Sequence, residues 1–213
     1  MIDTTPFDKH GENAEILELP VTENYRNLYK KTQLSLQYLY QRHVTEFDWF
    51  LKTDDDTFVI MENLMAFLHN YSSTTPHYFG CQLKIANLIY NSGGAGYVLS
   101  RASIIALQST LNQKLTFDPE AEDIYIAQLL QQTGIRAEPT VDQFGRHRFM
   151  PFEPVHMVEP KTRPNRFSWF KSMSVLPAKP GLDCCSPEAI TFHYIDADMM
   201  RTLEYLIYSL NPR

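Results

Sequence analysis

Residues 48–57 read DWFLKTDDDT, an apolar strand-like segment that runs into three consecutive aspartates. A second apolar segment, residues 58–60, follows directly. Adjacent carboxylates repel one another and are costly to remove from water unless a divalent cation neutralises them. An Asp-x-Asp turn between two buried strands therefore indicates a site for a metal ion and a diphosphate, with a solvated acidic turn as the simpler alternative.

The composition is that of a globular protein. The 213 residues are 44% hydrophobic and 13% aromatic, enough for one domain with a sizeable core. The net charge of -6 argues against a nucleic-acid surface, because phosphate binding favours basic patches. No apolar run approaches the length of a membrane span, and residues 1–6 lack the order of a signal peptide.

Hydrophobic periodicity alternates between strand and helix along most of the chain. Helical spacing predicts a long amphipathic helix over residues 23–43 and a last helix over residues 199–210, with Asp196 or Asp198 as its cap. This alternation predicts an α/β layer fold. The intervening predictions are strands at 48–52, 57–60, 77–83 and 95–99, helices at 62–70, 101–111 and 122–133, and a proline-rich loop region at 141–183.

Glycine is concentrated in one segment. Three of the eight glycines lie in residues 92–96, SGGAG, directly before a predicted strand. The cluster indicates close approach of a ligand or of another backbone to Gly93 and Gly94, and a tight turn explains it equally well. It is not a P-loop, because no Lys-Ser/Thr pair follows.

Other side chains are candidates for chemistry. Glu122 and Asp123 stand at the start of a predicted helix, where they are either ordinary helix-terminal acids or the general base of a displacement reaction. His193 lies in an apolar stretch, where histidine is usually a core residue, yet neutral imidazole and two carboxylates also suit a divalent ion such as Mn²⁺. Trp169 in the proline-rich region either stacks on a sugar or simply packs.

The cysteines and one glycosylation pattern leave the compartment open. The three cysteines are Cys81 and the adjacent Cys184 and Cys185, and an odd count leaves at least one unpaired within a monomer. Residues 70–72, NYS, match the N-glycosylation acceptor pattern and would suit a secretory lumen.

Four stretches together resemble the core 1 β1,3-galactosyltransferases, within the wider fringe-like β1,3-glycosyltransferase family. Their order and spacing fit over roughly residues 20–210. The resemblance implies an α/β fold of GT-A (Rossmann-like) type, in a single domain over residues 1–213 that lacks the first βα units of the family. The stretches are residues 48–57, residues 92–100, Glu122-Asp123, and Cys184-Cys185-Ser186 followed by Phe192-His193-Tyr194.

The resemblance also implies roles for individual residues. It makes Asp54, Asp56 and His193 the protein ligands of Mn²⁺, and Asp123 the catalytic base. Two further groups follow from it: the nucleotide-binding residues Lys31, Asp54, Asp55 and Tyr194, and the substrate-binding residues Glu122, Trp169, Gly93 and Gly94.

The implied reaction is inverting transfer of galactose from UDP-galactose to the 3-hydroxyl of Ser/Thr-linked N-acetylgalactosamine on a glycoprotein. The implied setting is the Golgi lumen, in a type II membrane protein whose N-terminal anchor is not in this sequence, and a homodimer. A β1,3-transferase of other sugar specificity and a non-catalytic, chaperone-like paralogue are the alternatives. The cysteines that the family carries before Glu122 are absent, which makes Cys81 a candidate partner for Cys184 or Cys185.

Overall fold

Seven α-helices and eight β-strands lie within residues 16–111 and 121–210, the parts of the chain that the computed structural model describes. This mixture of helices and sheets confirms the α/β prediction. In chain order the elements are α1 (Leu28–His43), β1 (Trp49–Lys52), β2 (Phe58–Val59), α2 (Met61–Leu68), β3 (Tyr78–Gly80), β4 (Gln82–Ile85), β5 (Leu88–Asn91), β6 (Tyr97–Ser100), α3 (Arg101–Leu111), α4 (Glu122–Gln132), β7 (Phe149–Met150), α5 (Pro154–Val158), α6 (Pro164–Met173), β8 (Thr191–Phe192) and α7 (Ala197–Glu204).

The central sheet has the order β1–β6–β3, with both pairs antiparallel. Strand β6 lies in the middle, and all four of its residues are buried. Apolar residues face each other across the ladder, for example Phe50 opposite Leu99, which stabilises this register. In the same register Lys52, the last residue of β1, lies opposite Tyr97, so the aspartate turn begins at the end of this sheet.

A second sheet, β2–β8–β7, brings the C-terminal part of the chain beside the aspartate turn. Phe192 of β8 pairs with Phe58 of β2, just after the turn. The backbone N–H of Ile195 donates to the carbonyl of Asp56 at 2.9 Å. Residue 193 follows β8 directly and is therefore held next to the turn.

Helices α1, α3 and α4 pack against one another. The ring of Tyr29 on α1 meets the ring of Tyr125 on α4 edge to face, with centroids 5.4 Å apart. Tyr125, Ile126, Leu129 and Leu130 form the buried face of α4 at helical spacing. This packing positions the first turn of α4, which carries the acidic pair. Within the described ranges, no helix is long and apolar enough to cross a membrane.

The two terminal helix predictions agree with the structure apart from their ends. Helix α1 begins at Leu28, after a 3₁₀ turn at Tyr25–Asn27. At the other end of the chain, Asp196 caps α7, because its carboxylate accepts a hydrogen bond from the N–H of Met199 at 2.8 Å. A π turn at Tyr205–Ser209 follows α7.

The prediction of one continuous strand over residues 77–83 is wrong. The segment divides at Cys81 into β3 and β4, because the chain leaves the central sheet there and forms the β4–β5 hairpin. The hairpin turn includes Ala86 in the left-handed region, with φ 49°. Helical and strand periodicity give no sign of this turn, which lacks glycine.

The region at residues 141–183 is more regular than predicted, since it contains β7, α5 and α6. Its prolines are the reason for the loop prediction. Two of them, Pro154 and Pro164, occupy the first position of α5 and α6, where the missing N–H leaves no hydrogen bond unmade.

The pairing suggested for Cys81 is wrong. The disulfide joins Cys184 to Cys185, and Cys81 is a buried free thiol. Cys81 lies between β3 and β4 inside the core, and burial raises the pKa of its thiol. The expectation that one cysteine stays unpaired is confirmed.

Candidate metal centre

The aspartate turn is anchored on both sides. The N–H of Thr57 donates to the carbonyl of Asp54 at 3.2 Å, which closes the turn. The hydroxyl of Thr57 donates to the carbonyl of Gly94 at 2.7 Å, which ties the turn to the glycine segment. The turn is thus held in place by backbone contacts, while the side chains of Asp54 and Asp56 stay 42% and 39% exposed.

His193 completes a group of three ligand atoms. Its Nε2 lies 3.1 Å from Asp56 Oδ1 and 3.8 Å from Asp54 Oδ2. One ligand atom from each of the three residues lies within 4.8 Å of the other two. Burial lowers the pKa of His193, although Asp56 and Asp54 act in the opposite direction, so the imidazole is neutral near pH 7.

This donor set fits a divalent ion of the first transition row. Two carboxylates and one neutral imidazole are hard and borderline ligands, and one face of the group remains open for waters or a phosphate. The sequence prediction grouped the same three residues, and the structure brings them together. Asp55, between them in the chain, is exposed and lies outside this group, on the rim of a cleft of about 420 Å³ that Asp56 and the start of α7 also line.

Gly94 allows His193 to occupy its position. A Cβ on residue 94 would overlap the imidazole ring. Gly93 faces the other half of the site, since a Cβ there would lie 2.8 Å from Glu122 Oε2. Close approach of a side chain thus explains glycine at both positions, with much the tighter contact at Gly94.

We expect Gly94→Ala to weaken metal binding about tenfold or more, because the new methyl group displaces His193 from the two aspartates. Binding of Mn²⁺ to the purified chain, followed by electron paramagnetic resonance, measures this. Gly93→Ala is the matched control, because its methyl group meets Glu122 and leaves His193 in place. Equal loss of Mn²⁺ affinity in both variants would contradict the explanation.

The acidic start of α4 forms the second half of the site. Glu122 Oε1 accepts a hydrogen bond from the Tyr97 hydroxyl at 2.6 Å, and the residue is only 7% exposed. Burial raises the pKa of Glu122, and Lys52 and Tyr97 partly offset this. Asp123 accepts from the N–H of Gly93 and the N–H of Ile124, each at 2.9 Å. Burial raises the pKa of Asp123, against the lowering effect of these two hydrogen bonds.

Lys52 lies in the candidate site, and the sequence prediction did not include it. Its ammonium lies 2.6 Å from Asp54 Oδ1 and 3.5 Å from Glu122 Oε2. It connects the aspartate turn to α4. A lysine at the end of an apolar strand, two residues before an aspartate run, was the available signal.

Lys31, predicted to reach a diphosphate, lies on α1 and binds Glu23 at 2.9 Å. Among the described lysines, Lys52 forms an ion pair with the aspartate turn. The recorded ion pair of Lys31 is with Glu23, outside the candidate site.

A row of aromatic rings in successive contact leads from His193 to the protein surface. Tyr194, with φ 61°, stacks on His193 with centroids 4.0 Å apart and on Phe152 at 5.9 Å. Phe152 in turn meets Trp169 of α6 edge to face at 5.7 Å. The guanidinium of Arg166 lies 4.5 Å from the centre of the Tyr194 ring. Trp169 is 42% exposed, so the row ends at an accessible apolar surface.

Comparison with known proteins gives consistent matches. A family model described as Fringe-like matches residues 9–136. Glycoprotein-N-acetylgalactosamine 3-beta-galactosyltransferase 1 of Xenopus laevis is 38% identical over 201 residues, which cover 93% of this chain and 56% of that protein. The chain thus spans about half the length of this relative.

Two human proteins are more distant relatives. N-acetyllactosaminide beta-1,3-N-acetylglucosaminyltransferase 4 is 26% identical over 144 residues, covering 58% of this chain and 37% of that protein. Chondroitin sulfate synthase 3 is 24% identical over 98 residues, covering 40% of this chain and 11% of that protein. Because the family match spans more than half of the chain and contains both the aspartate turn and the acidic start of α4, the chain belongs to the Fringe-like family and has the predicted α/β fold of GT-A type.

Proposed function

We propose that the chain is catalytic sequence of an inverting β1,3-galactosyltransferase, which moves galactose from UDP-galactose to the 3-hydroxyl of Ser/Thr-linked N-acetylgalactosamine. One observation carries the proposal: the group Asp54, Asp56 and His193 is separated from the acidic start of α4 by a single side chain, Lys52. A metal–diphosphate site beside a base is what a single displacement requires. The likeness to the Xenopus galactosyltransferase supports the choice of sugar and acceptor.

In this proposal Asp54, Asp56 and His193 bind the metal ion on the side of the site where UDP-galactose binds. Mn²⁺ bound by these residues supplies positive charge where the UDP diphosphate departs. Asp55 and Tyr194 flank the group and are proposed to contact the nucleotide. Lys31 is proposed to reach the diphosphate, for which it must release Glu23.

Asp123 acts on the acceptor. Its carboxylate takes the proton of the 3-hydroxyl while that oxygen attacks the anomeric carbon of galactose from the face opposite UDP. The bond from that carbon to the UDP oxygen breaks, and the configuration inverts. The N–H groups of Gly93 and Ile124 orient the carboxylate. Its raised pKa makes it a better base near neutral pH than an exposed aspartate.

The acceptor sugar is proposed to stack on Trp169, whose ring is partly exposed and supported by Phe152. Gly93 and Gly94 allow close approach of the acceptor to the backbone. Glu122 is proposed to assist acceptor binding, from a position where Tyr97 and Lys52 already hold its carboxylate.

The cellular setting is part of the same proposal. The chain would work in the Golgi lumen, as the catalytic part of a type II membrane protein with an N-terminal anchor, and as a homodimer. Asn70, in the N-glycosylation pattern, is exposed after α2, which is compatible with a lumenal location.

Transfer of another sugar is the second candidate. The likeness to a protein named as an N-acetylglucosaminyltransferase favours it, since that name specifies a different sugar. The non-catalytic alternative has less support, because the three ligand residues and the acidic pair are all present and in contact with the same segments.

Isothermal titration of the folded chain with UDP, with and without Mn²⁺, is the first test. We expect UDP binding that depends on Mn²⁺. Transfer assays with UDP-galactose and UDP-N-acetylglucosamine on a peptide bearing N-acetylgalactosamine then identify the sugar, and galactose transfer is expected. No UDP binding by the folded chain would contradict a working transferase site, and preferential N-acetylglucosamine transfer would favour the second candidate.

A further inference from the structure

Lys52 touches both halves of the site. Its ammonium contacts Asp54 and Glu122 and donates to the carbonyl of Gly93 at 3.3 Å. We propose that Lys52 is a positioning residue, which holds the carboxylate of Glu122 beside the glycine segment and so keeps Asp123 able to accept a proton. This inference rests on the proposed function, because it concerns the same site.

The backbone places Lys52 for this role. It ends β1 opposite Tyr97, whose hydroxyl binds the other oxygen of Glu122. Two neighbouring residues of the central sheet therefore hold the Glu122 carboxylate, one by charge and one by a neutral hydrogen bond. The side chain of Lys52 is 25% exposed, and its ammonium donates hydrogen bonds to Asp54 and to the Gly93 carbonyl while it forms an ion pair with Glu122.

The charges around Glu122 and Asp123 explain why a cation is needed. Among the described ion pairs, Lys52 is the partner of Glu122. The charge of Asp54 also raises the pKa of Glu122. Three buried phenols nearby stay neutral, because burial and the charge of Asp123 raise their pKa values; they are Tyr78, Tyr90 and Tyr97. Without Lys52, two adjacent carboxylates would face a third at low dielectric, and Glu122 would take up a proton or move.

A change in the protonation or position of Glu122 would affect Asp123 in two ways. The residues are adjacent in the first turn of α4, and both face Gly93, whose N–H binds Asp123 and whose Cα approaches Glu122. Lys52 also acts on Asp123 directly, since its charge lowers the pKa of that carboxyl against the larger effect of burial. Loss of Lys52 should therefore leave Asp123 protonated at a pH where it has to act as a base.

Lys52 is not a metal ligand, because an ammonium group has no free electron pair. Removing its charge next to Asp54 leaves the three ligand residues in place and makes the surroundings more favourable for a cation. The proposal thus predicts that metal binding and catalysis respond differently to the loss of Lys52. A residue that only stabilised the fold would affect both together.

The test compares Lys52→Met, Lys52→Arg and the control Lys84→Met, which changes an exposed lysine of β4. Carboxyl titrations of Glu122 and Asp123 are followed by ¹³C NMR in the metal-free chain, and Mn²⁺ affinity is measured with the metal alone. In Lys52→Met we expect both titrations to move upward by about 1 to 3 pH units and Mn²⁺ affinity to be kept or increased. Lys52→Arg should keep the titrations close to those of the unchanged protein, and Lys84→Met should alter neither quantity.

Kinetics add a second readout. We expect Lys52→Met to lower kcat at least tenfold at pH 7, to leave KM for UDP-galactose within about threefold, and to move the acid limb of the rate profile upward. Unchanged titrations and an unchanged pH profile would overturn the proposal, and so would loss of Mn²⁺ affinity with unchanged titrations. If Lys52→Met does not fold, Lys52→Gln takes its place. Because the NMR titrations need no activity, failure of sugar transfer by the unchanged protein would count against the proposed function alone.

Discussion

Asp123→Asn should reduce galactosyl transfer by about 10²- to 10⁴-fold while UDP and Mn²⁺ still bind, because the amide keeps the shape of the side chain and cannot accept the acceptor proton. The geometry supports a selective effect. Asp123 takes hydrogen bonds from Gly93 and Ile124, whereas the metal group consists of Asp54, Asp56 and His193. A radiochemical transfer assay measures the loss. Asp183→Asn, which makes the same change at an exposed position, is the control.

The same role for Asp123 also predicts how the activity of the unchanged protein depends on pH. Burial raises the pKa of Asp123, so the acid limb of kcat/KM should lie above the value of about 3.9 for an ordinary aspartate. Activity is lost as pH falls through this raised pKa, because the base becomes protonated. The limb should disappear from the residual activity of Asp123→Asn. An unchanged limb in that variant would assign the titration to another group.

The contribution of Asp123 to the free energy of unfolding should change with pH in the direction opposite to the activity. The folded protein favours the protonated form of Asp123, so the contribution of this group to stability is fully present below the unfolded pKa and is lost as pH rises through the folded pKa. Asp123→Asn removes a buried charge, but it also loses one hydrogen bond, because the N–H groups of Gly93 and Ile124 bind different carboxylate oxygens and the amide has only one oxygen. The two effects oppose each other, so we expect only a small change in the thermal midpoint at pH 7. A large drop in that midpoint would mean that lost activity reflects unfolding.

Asp56→Asn should weaken Mn²⁺ binding by about 100-fold or more and abolish metal-dependent transfer, since even residues that only support a metal ligand typically change affinity 10- to 100-fold. Asp56 supplies the carboxylate oxygen that lies 3.1 Å from His193 Nε2. The turn itself should survive, because Asp56 binds Ile195 through its backbone carbonyl, which the substitution retains. Electron paramagnetic resonance of Mn²⁺ measures the affinity directly.

Asp55→Asn is the matched control for Asp56→Asn. The two residues are adjacent, and both side chains lose the same charge. Asp55 is exposed and lies outside the group of three ligands. We expect Asp55→Asn to keep Mn²⁺ affinity within a few fold and to weaken UDP binding. Equal Mn²⁺ affinity in both variants would exclude Asp56 as a ligand.

The sequence was most informative where its signal is local. Strand periodicity on both sides of Asp54 predicted the turn, and helical spacing predicted α3, α4 and α7 within a few residues. The predictions failed where tertiary context overrides local preference. The chain divides at Cys81 because β4 finds its partner in β5, and Pro154 and Pro164 start helices in a region whose prolines indicate loops.

The candidate site also contains residues that the sequence predicted and one that it did not. The residue types at Asp54, Asp56, Asp123 and His193 indicate a metal and a base, and the family resemblance groups these residues from sequence alone. Their roles remain predictions. Lys52 was missed because its importance depends on its distance to Glu122, which no pattern in residues 48–57 contains.

By itself the sequence determined the first helix, the acidic turn between two strands and the acidic start of α4, because these depend on periodicity and on interactions between near neighbours. The tertiary structure alone decided that Gly94 makes room for the His193 ring and that Lys52 joins Asp54 to Glu122, and it gives the predicted meeting of His193 with Asp56 its geometry. These contacts join residues distant in the chain. They exist because antiparallel pairing of β2 with β8 and of β1 with β6 sets which residues face each other, and that register is fixed by packing of the whole core.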